Sequence, residues 1–121
     1  DGEHGISSFV YYRRKPMSLN AFDHFVYKQW PKSVIRAKGI VYFSDNEIMS
    51  YLFEQAGTQK TLQEAGQWIC TAPEEEIEMM KRQSPELRRD WDEKYGDKMV
   101  KIVFIGKQMD KEAICKALDQ V

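Results

Sequence analysis

From Ile6 onward, short β-rich runs alternate with helically spaced stripes, separated by proline, glycine and aspartate. Phe9, Val10, Tyr11 and Tyr12 continue a run that meets Arg13, Arg14, Lys15 and Pro16. This pattern predicts a strand that Pro16 stops, because proline has no N–H to give to a ladder. Ser18 is a suitable N-cap for a following helix, in which Leu19, Phe22, Phe25 or Val26, and Trp30 recur at helical spacing. Pro31 ends it, since the residue before a proline avoids the helical region. Three β-rich stretches follow at 34–43, 49–56 and 61–70, with Asp45-Asn46 and the Gly57 region as hairpin turns.

The second half turns helical at 73–95. Pro73 suits a first turn, and Glu74, Glu75 and Glu76 lie where the positive end of the helix dipole favours carboxylates. A second start at Ser84-Pro85-Glu86 leads into Leu87, Trp91 and Tyr95, an i, i+4, i+8 stripe that predicts helix up to Gly96. Residues 99–105 are almost continuously apolar and predict a central strand. Asp110 then caps a last helix, predicted to bury Ala113, Ile114, Ala117, Leu118 and Val121. The order β-α-β-β-β-α-β-α predicts an α+β fold: a mostly antiparallel sheet of four to five strands with helices packed on one face. A ferredoxin-like β-α-β-β-α-β core with one extra strand and a terminal helix is the simplest topology.

Composition narrows the functional classes. A chain of 121 residues fits one domain, and 42% apolar with 12% aromatic residues is enough for a real core. The net charge of −1 supplies no field for gripping a phosphate backbone. No run approaches the roughly 18 apolar residues of a membrane span, and "DGEHGISSF" does not read as a secretory signal. Cys70 and Cys115, too few for a disulfide framework, read as reduced thiols of a cytoplasmic protein. The charge is unevenly spread, with seven basic and three acidic groups in 1–40 but six and thirteen in 41–97.

The candidate chemistry is thin. Neither GxxxxGK[ST] nor GxGxxG occurs, so no phosphate-cradling loop of those types is present. His4, His24, Cys70 and Cys115 are too far apart in sequence for zinc-type ligand spacing. His4, beside Asp1 and Glu3, is a weak metal candidate at most, and His24 reads as a helix-surface residue. Both cysteines sit in apolar settings where a thiol acts as a small hydrophobe, and Ser7-Ser8 lacks the GxSxG context. No catalytic residue is assigned. Lys38-Gly39-Ile40-Val41-Tyr42-Phe43 resembles an RNA-recognition octapeptide without its second small residue. Arg36 and Lys38 would share one strand face within an apolar stretch. Such cations are costly unless the face is wet or meets a partner, so these two are the candidate interface residues.

Five segments in order carry a wider likeness: "GISSFVYYRRKP", "WPKSVIRAKGIVYF", "QAG", "GQW" and "KIVFIGK". Together, from about Gly5 to the end, they resemble the C-terminal domain of the CobW, or cobalamin synthesis protein, family. The resemblance implies that residues 1–4 are a remnant of an interdomain linker and 5–121 the domain itself. It implies a parent P-loop GTPase metallochaperone handling cobalt, zinc, nickel or iron, whose N-terminal domain holds GTP-Mg and a transition metal. This domain would then hold no cofactor of its own. Its partners would be that GTPase domain and a client metalloprotein, with neither nucleic acid nor membrane among them. Met17 departs from the family's usual aromatic, and the 71–95 region rests on pattern alone. The competing reading is a free-standing ferredoxin-like module that binds a small ligand or RNA.

Overall fold

The computed structural model describes residues 5–121. Their elements run β1 (Ile6–Arg13), α1 (Leu19–Lys28), β2 (Val34–Phe43), β3 (Asn46–Ala56), β4 (Gln59–Gln67), α2 (Glu74–Gln83), α3 (Pro85–Asp90), β5 (Val100–Lys107) and α4 (Lys111–Asp119), with a 3-10 turn at Ile69–Thr71. All five strands form one antiparallel sheet in the order β1-β5-β2-β3-β4. The α+β class and the five-stranded antiparallel sheet are as the sequence predicts. β1 and β2 run parallel to each other, linked through α1, with β5 inserted antiparallel between them. That is one split β-α-β unit; β2, β3 and β4 continue from it as a meander.

Local chemistry explains the ends of these elements. Ser18 caps α1 by accepting from the Ala21 N–H, and Asp110 caps α4 by accepting from the Ala113 N–H. Gly57, at φ +62, makes the β3–β4 turn. β5 lies in the interior of the sheet, and its residues alternate between buried Val100, Ile102, Phe104 and Gly106 and more exposed neighbours.

The inward rows of the sheet meet α1 and α4. Phe22 packs edge-on against Phe53 and α1 also buries Phe25 and Val26, while Ile114 and Leu118 anchor α4. Trp30 joins this cluster, touching Phe25, Phe53 and Phe104 at ring-centroid distances of 5.7 to 6.1 Å. Packing along these two helices is narrower than the pattern suggests. Leu19, Ala113 and Ala117 are exposed, and Val121 is half-buried. α2 and α3 bury no residue and pack chiefly against each other.

Two stretches differ from expectation. α3 stops at Asp90, so Trp91 and Tyr95 do not extend a helical stripe. Asp92 is the cause: its carboxylate accepts from the Lys94 and Tyr95 N–H groups, and its backbone exchanges two hydrogen bonds with Gly96. A short acid that satisfies nearby backbone donors competes with helix continuation. β4 likewise ends at Gln67, not at Cys70. Asp97 accepts from the Ile69 and Cys70 N–H groups, which pins those residues in the 3-10 turn.

The β2–β5 contact leaves no room at Gly39. A β-carbon there would stand 2.1 Å from the Lys101 carbonyl oxygen and 2.5 Å from the Ile102 Cα, both backbone atoms. Gly39→Ala is therefore expected to cost about 3 kcal/mol or more by urea denaturation. Gly57→Ala, which meets nothing within 4 Å, should cost only about 1 kcal/mol, from its positive φ. Equal losses would contradict this account of the β2–β5 approach.

Candidate functional site

The sheet face away from α1 and α4 is largely open. Register places Ser8, Ile105, Arg36 and Ala56 in one row across β1, β5, β2 and β3. The next row is Val10, Val103, Lys38 and Glu54, and a third is Tyr12, Lys101, Ile40 and Leu52. Apolar groups on this face stay in solvent: Ile6 is 40% exposed, Val10 46%, Tyr12 50% and Val103 38%. A contiguous apolar strip with a polar rim on a sheet face marks an interaction surface, in contrast to isolated exposed hydrophobics. Arg36 and Lys38 border it on β2, with Lys101 and Lys107 on neighbouring β5. Lys38 faces Glu54 across the β2–β3 pair. Neither Arg36 nor Lys38 takes part in the ion pairs seen among the described residues.

One end of this face is closed by a smaller cluster. Tyr42 and Trp68 pack edge-on at 5.5 Å, and both are buried. Arg14 ties the cluster to β1. Its guanidinium donates to the carbonyls of Gly96, Lys98 and Asp90 and to the Tyr12 hydroxyl, and its own carbonyl accepts from the Tyr42 hydroxyl. Arg13 does the corresponding work on the other face. It donates to the Leu118 carbonyl at 3.0 Å, to Pro16 and Lys15 carbonyls, and to the Tyr11 hydroxyl. Tyr11 in turn donates to the Asp119 carboxylate at 2.7 Å. Neighbouring strand residues point to opposite faces, so this arginine pair fastens α4 on one side and the α3–β5 connection on the other. In the sequence, Arg13 and Arg14 stand only at the end of the first strand run and within the family-like string, with no role of their own. The signal available was two consecutive cations at the end of an apolar strand.

The remaining candidates lie apart. His24 is exposed on α1, beside a shallow depression between α1 and α4. His4 lies outside the described residues. Cys70 and Cys115 are half-buried, and burial raises both thiols above the ordinary cysteine value. Asp97 beside Cys70 adds to that rise. A raised thiol is a poor nucleophile and a poor metal ligand at neutral pH. Among the described residues, no three His, Cys, Asp or Glu side chains are grouped to hold a metal. The string that resembles an RNA-recognition octapeptide buries its aromatics: Tyr42 and Phe43 belong to the core and offer no stacking platform. Among the described residues, no helix is long and apolar enough to cross a membrane.

Residues 6–121 match the family described as the cobalamin synthesis protein cobW C-terminal domain. The chain belongs to this family. The zinc-regulated GTPase metalloprotein activator 1 of Dictyostelium discoideum is 28% identical to this CobW C-terminal domain over 106 residues. That match takes in 86% of the chain but 22% of the relative, so the chain spans about a fifth of the curated protein it resembles. Among solved structures, the Zn(II)-bound E. coli YjiA GTPase aligns with a TM-score of 0.61 at 18% identity. Its zinc-bound triple mutant aligns at 0.65, also at 18%; each covers 96% of this chain and 29% of the other. At that identity the likeness speaks for the fold. In the 71–95 region the helix starts expected at Pro73 and Ser84 are present as α2 and α3, and the turn at Asp92 takes the place of the expected helix beyond Asp90.

Burial, and then the Asp119 hydrogen bond, push the Tyr11 hydroxyl up to about 12. Burial pushes Tyr42 up as well, with the charge of Glu47 adding to it. The folded state thus keeps protons that the unfolded chain has released by about pH 10. The stability held below pH 10 falls as pH rises toward 12. Spectrophotometric titration should show two of the six tyrosines ionising late, and Tyr11→Phe should remove one of them. Tyr11→Phe should also flatten the fall in urea midpoint between about pH 9 and about pH 11. An unchanged late fraction in that variant would overturn the assignment.

Proposed function

We propose that this chain is the non-catalytic interaction domain of a longer CobW-type GTPase metallochaperone, docked through its open sheet face onto the GTPase half of that protein. The observation that carries the reading is the surface itself: an exposed apolar strip on β1 and β5, bordered by Arg36 and Lys38 on β2 and flanked by Lys101 and Lys107 on β5. Apolar area supplies association energy, while the cations set register and select against a basic partner. Two named relatives are GTPases that extend well beyond the matched segment, which gives the face a natural occupant. GTP-Mg and the transition metal belong to that other half, where the phosphate loop and the metal ligands would lie. The domain's part is to couple nucleotide state there to delivery of cobalt, zinc, nickel or iron to a client metalloprotein in the cytoplasm. Residues 1–4 are linker and 5–121 the folded domain in this reading. A free-standing RNA-binding module is disfavoured, because Tyr42 and Phe43 are buried and the net charge is −1.

Val103→Cys places a thiol at the centre of the face, on an exposed position. In the 121-residue chain it should react with maleimide freely. In the longer protein, mass-mapped labelling should slow by about tenfold or more, consistent with a desolvated interface core. Adding Arg36→Glu and Lys38→Glu should restore the reactivity while leaving the melting temperature of the 121-residue chain nearly unchanged. Equal labelling in both proteins would refute the docking. A collapse in melting temperature would show instead that the two cations are structural.

A further inference from the structure

The α2–α3 pair buries none of its own residues, yet it is not polar all round. Together with the approach to β5 it walls a groove of about 450 Å³. Ile69, Met80, Leu87 and Met99 supply the apolar lining, all of them half-exposed. The ionisable side chains lining it are Glu86, Asp90 and Asp97, and no lysine or arginine is among them. Arg89 pairs with Asp90 at 3.1 Å, with Arg14 and Lys101 also close to that carboxylate, and both Asp97 oxygens accept backbone N–H groups; Glu86 is the lining carboxylate with no hydrogen-bond or ion-pair partner among the described residues. Methionines suit such a groove, since their unbranched, polarizable side chains adapt to different apolar shapes.

We propose that this groove is a second docking site, which takes a segment of a separate protein presenting an apolar residue beside a lysine or arginine. The charge of the lining selects the basic neighbour, and the methionines accept the apolar anchor. Assignment to a separate protein rests on the proposed use of the sheet face by the GTPase half. Arg14 holds the groove wall at the end of β1 away from Ile6, two residues past Tyr12 at the edge of the sheet face. The two ends of the strand are roughly 25 Å apart at ordinary strand rise. Arg14 donates to the Asp90 carbonyl where α3 ends, so the wall is held firmly against β1. A half-open, polar-rimmed groove of this size fits a transient contact better than a permanent one.

The test uses methyl-labelled methionine in the 121-residue chain and two synthetic peptides. One carries a leucine pair flanked by lysines; in the other, glutamates replace the lysines. The Met80 and Met99 methyl signals should shift saturably with the lysine peptide, while fully buried Met17 stays still. Affinity should fall about tenfold or more for the glutamate peptide, for Glu86→Lys, and on raising the salt from about 0.05 to about 0.5 M. Absence of saturation at millimolar lysine peptide, or equal response to the two peptides, overturns the proposal, and the peptide swap needs no variant to fold. Arg36→Glu with Lys38→Glu should leave this binding unchanged. If sheet-face docking fails while the methyl shifts remain, the groove stands and only its assignment to a separate protein falls. If the shifts fail while Val103→Cys is protected in the longer protein, the groove alone is refuted.

Discussion

Insertion of β5 between β1 and β2 is the constraint on which the rest of the molecule depends. The last strand to be made enters the sheet between the first and the second, pairing with both along nearly its whole length. It can do so only because Gly39 and Gly106 let backbone and side chain approach without a β-carbon between them. Once β5 is in place, strand alternation divides the central residues into two sets. Val100, Ile102 and Phe104 join the core beneath α1 and α4, and Lys101, Val103, Ile105 and Lys107 face the other way. The outer set becomes a surface because, among the described residues, no helix covers its centre.

Arg13 and Arg14 turn that division into mechanical linkage. The first reaches the C-terminal end of α4 through Leu118 and orients Tyr11 against Asp119. The second reaches the ends of α3 and of the turn before β5, and its carbonyl holds Tyr42. Either arginine reads from the sequence as a solvated cation. Their hydrogen bonds go mostly to backbone carbonyls, so the contacts depend on the path of the chain more than on the identity of the partners. Tyr12 lies where the open face meets this network, exposed on the sheet and accepting from Arg14. The two proposed docking sites are thus neighbours through one guanidinium.

Much of the fold was legible because periodicity and caps agree locally. The stretch at 34–43 is a strand with those same ends, Ser18 and Asp110 cap the helices they precede, and 99–105 falls in β5, an interior strand of the sheet. The misreadings fall where a side chain from elsewhere, or a short acid, satisfies backbone donors outside regular structure. Asp92 ends the stripe through Leu87, Trp91 and Tyr95, and Asp97 converts the end of a predicted strand into a 3-10 turn. The apolar stripe of α4 is narrower than its pattern suggests for another reason: small residues such as Ala113 and Ala117 do not report which way they face.

Residue order alone determined most element types, the absence of a phosphate loop and the sharing of one strand face by Arg36 and Lys38, because each depends on neighbours within a few residues; the family likeness came from the order of five segments along the chain. Tertiary structure decided which face the helices cover, and therefore that Arg36 and Lys38 stand among exposed Val10, Tyr12 and Val103. It also brought Met80 and Met99 to one groove from segments almost twenty residues apart, and gave Arg13 and Arg14 opposite duties. These outcomes depend on strand order and on contacts distant in sequence, for which local periodicity carries no signal.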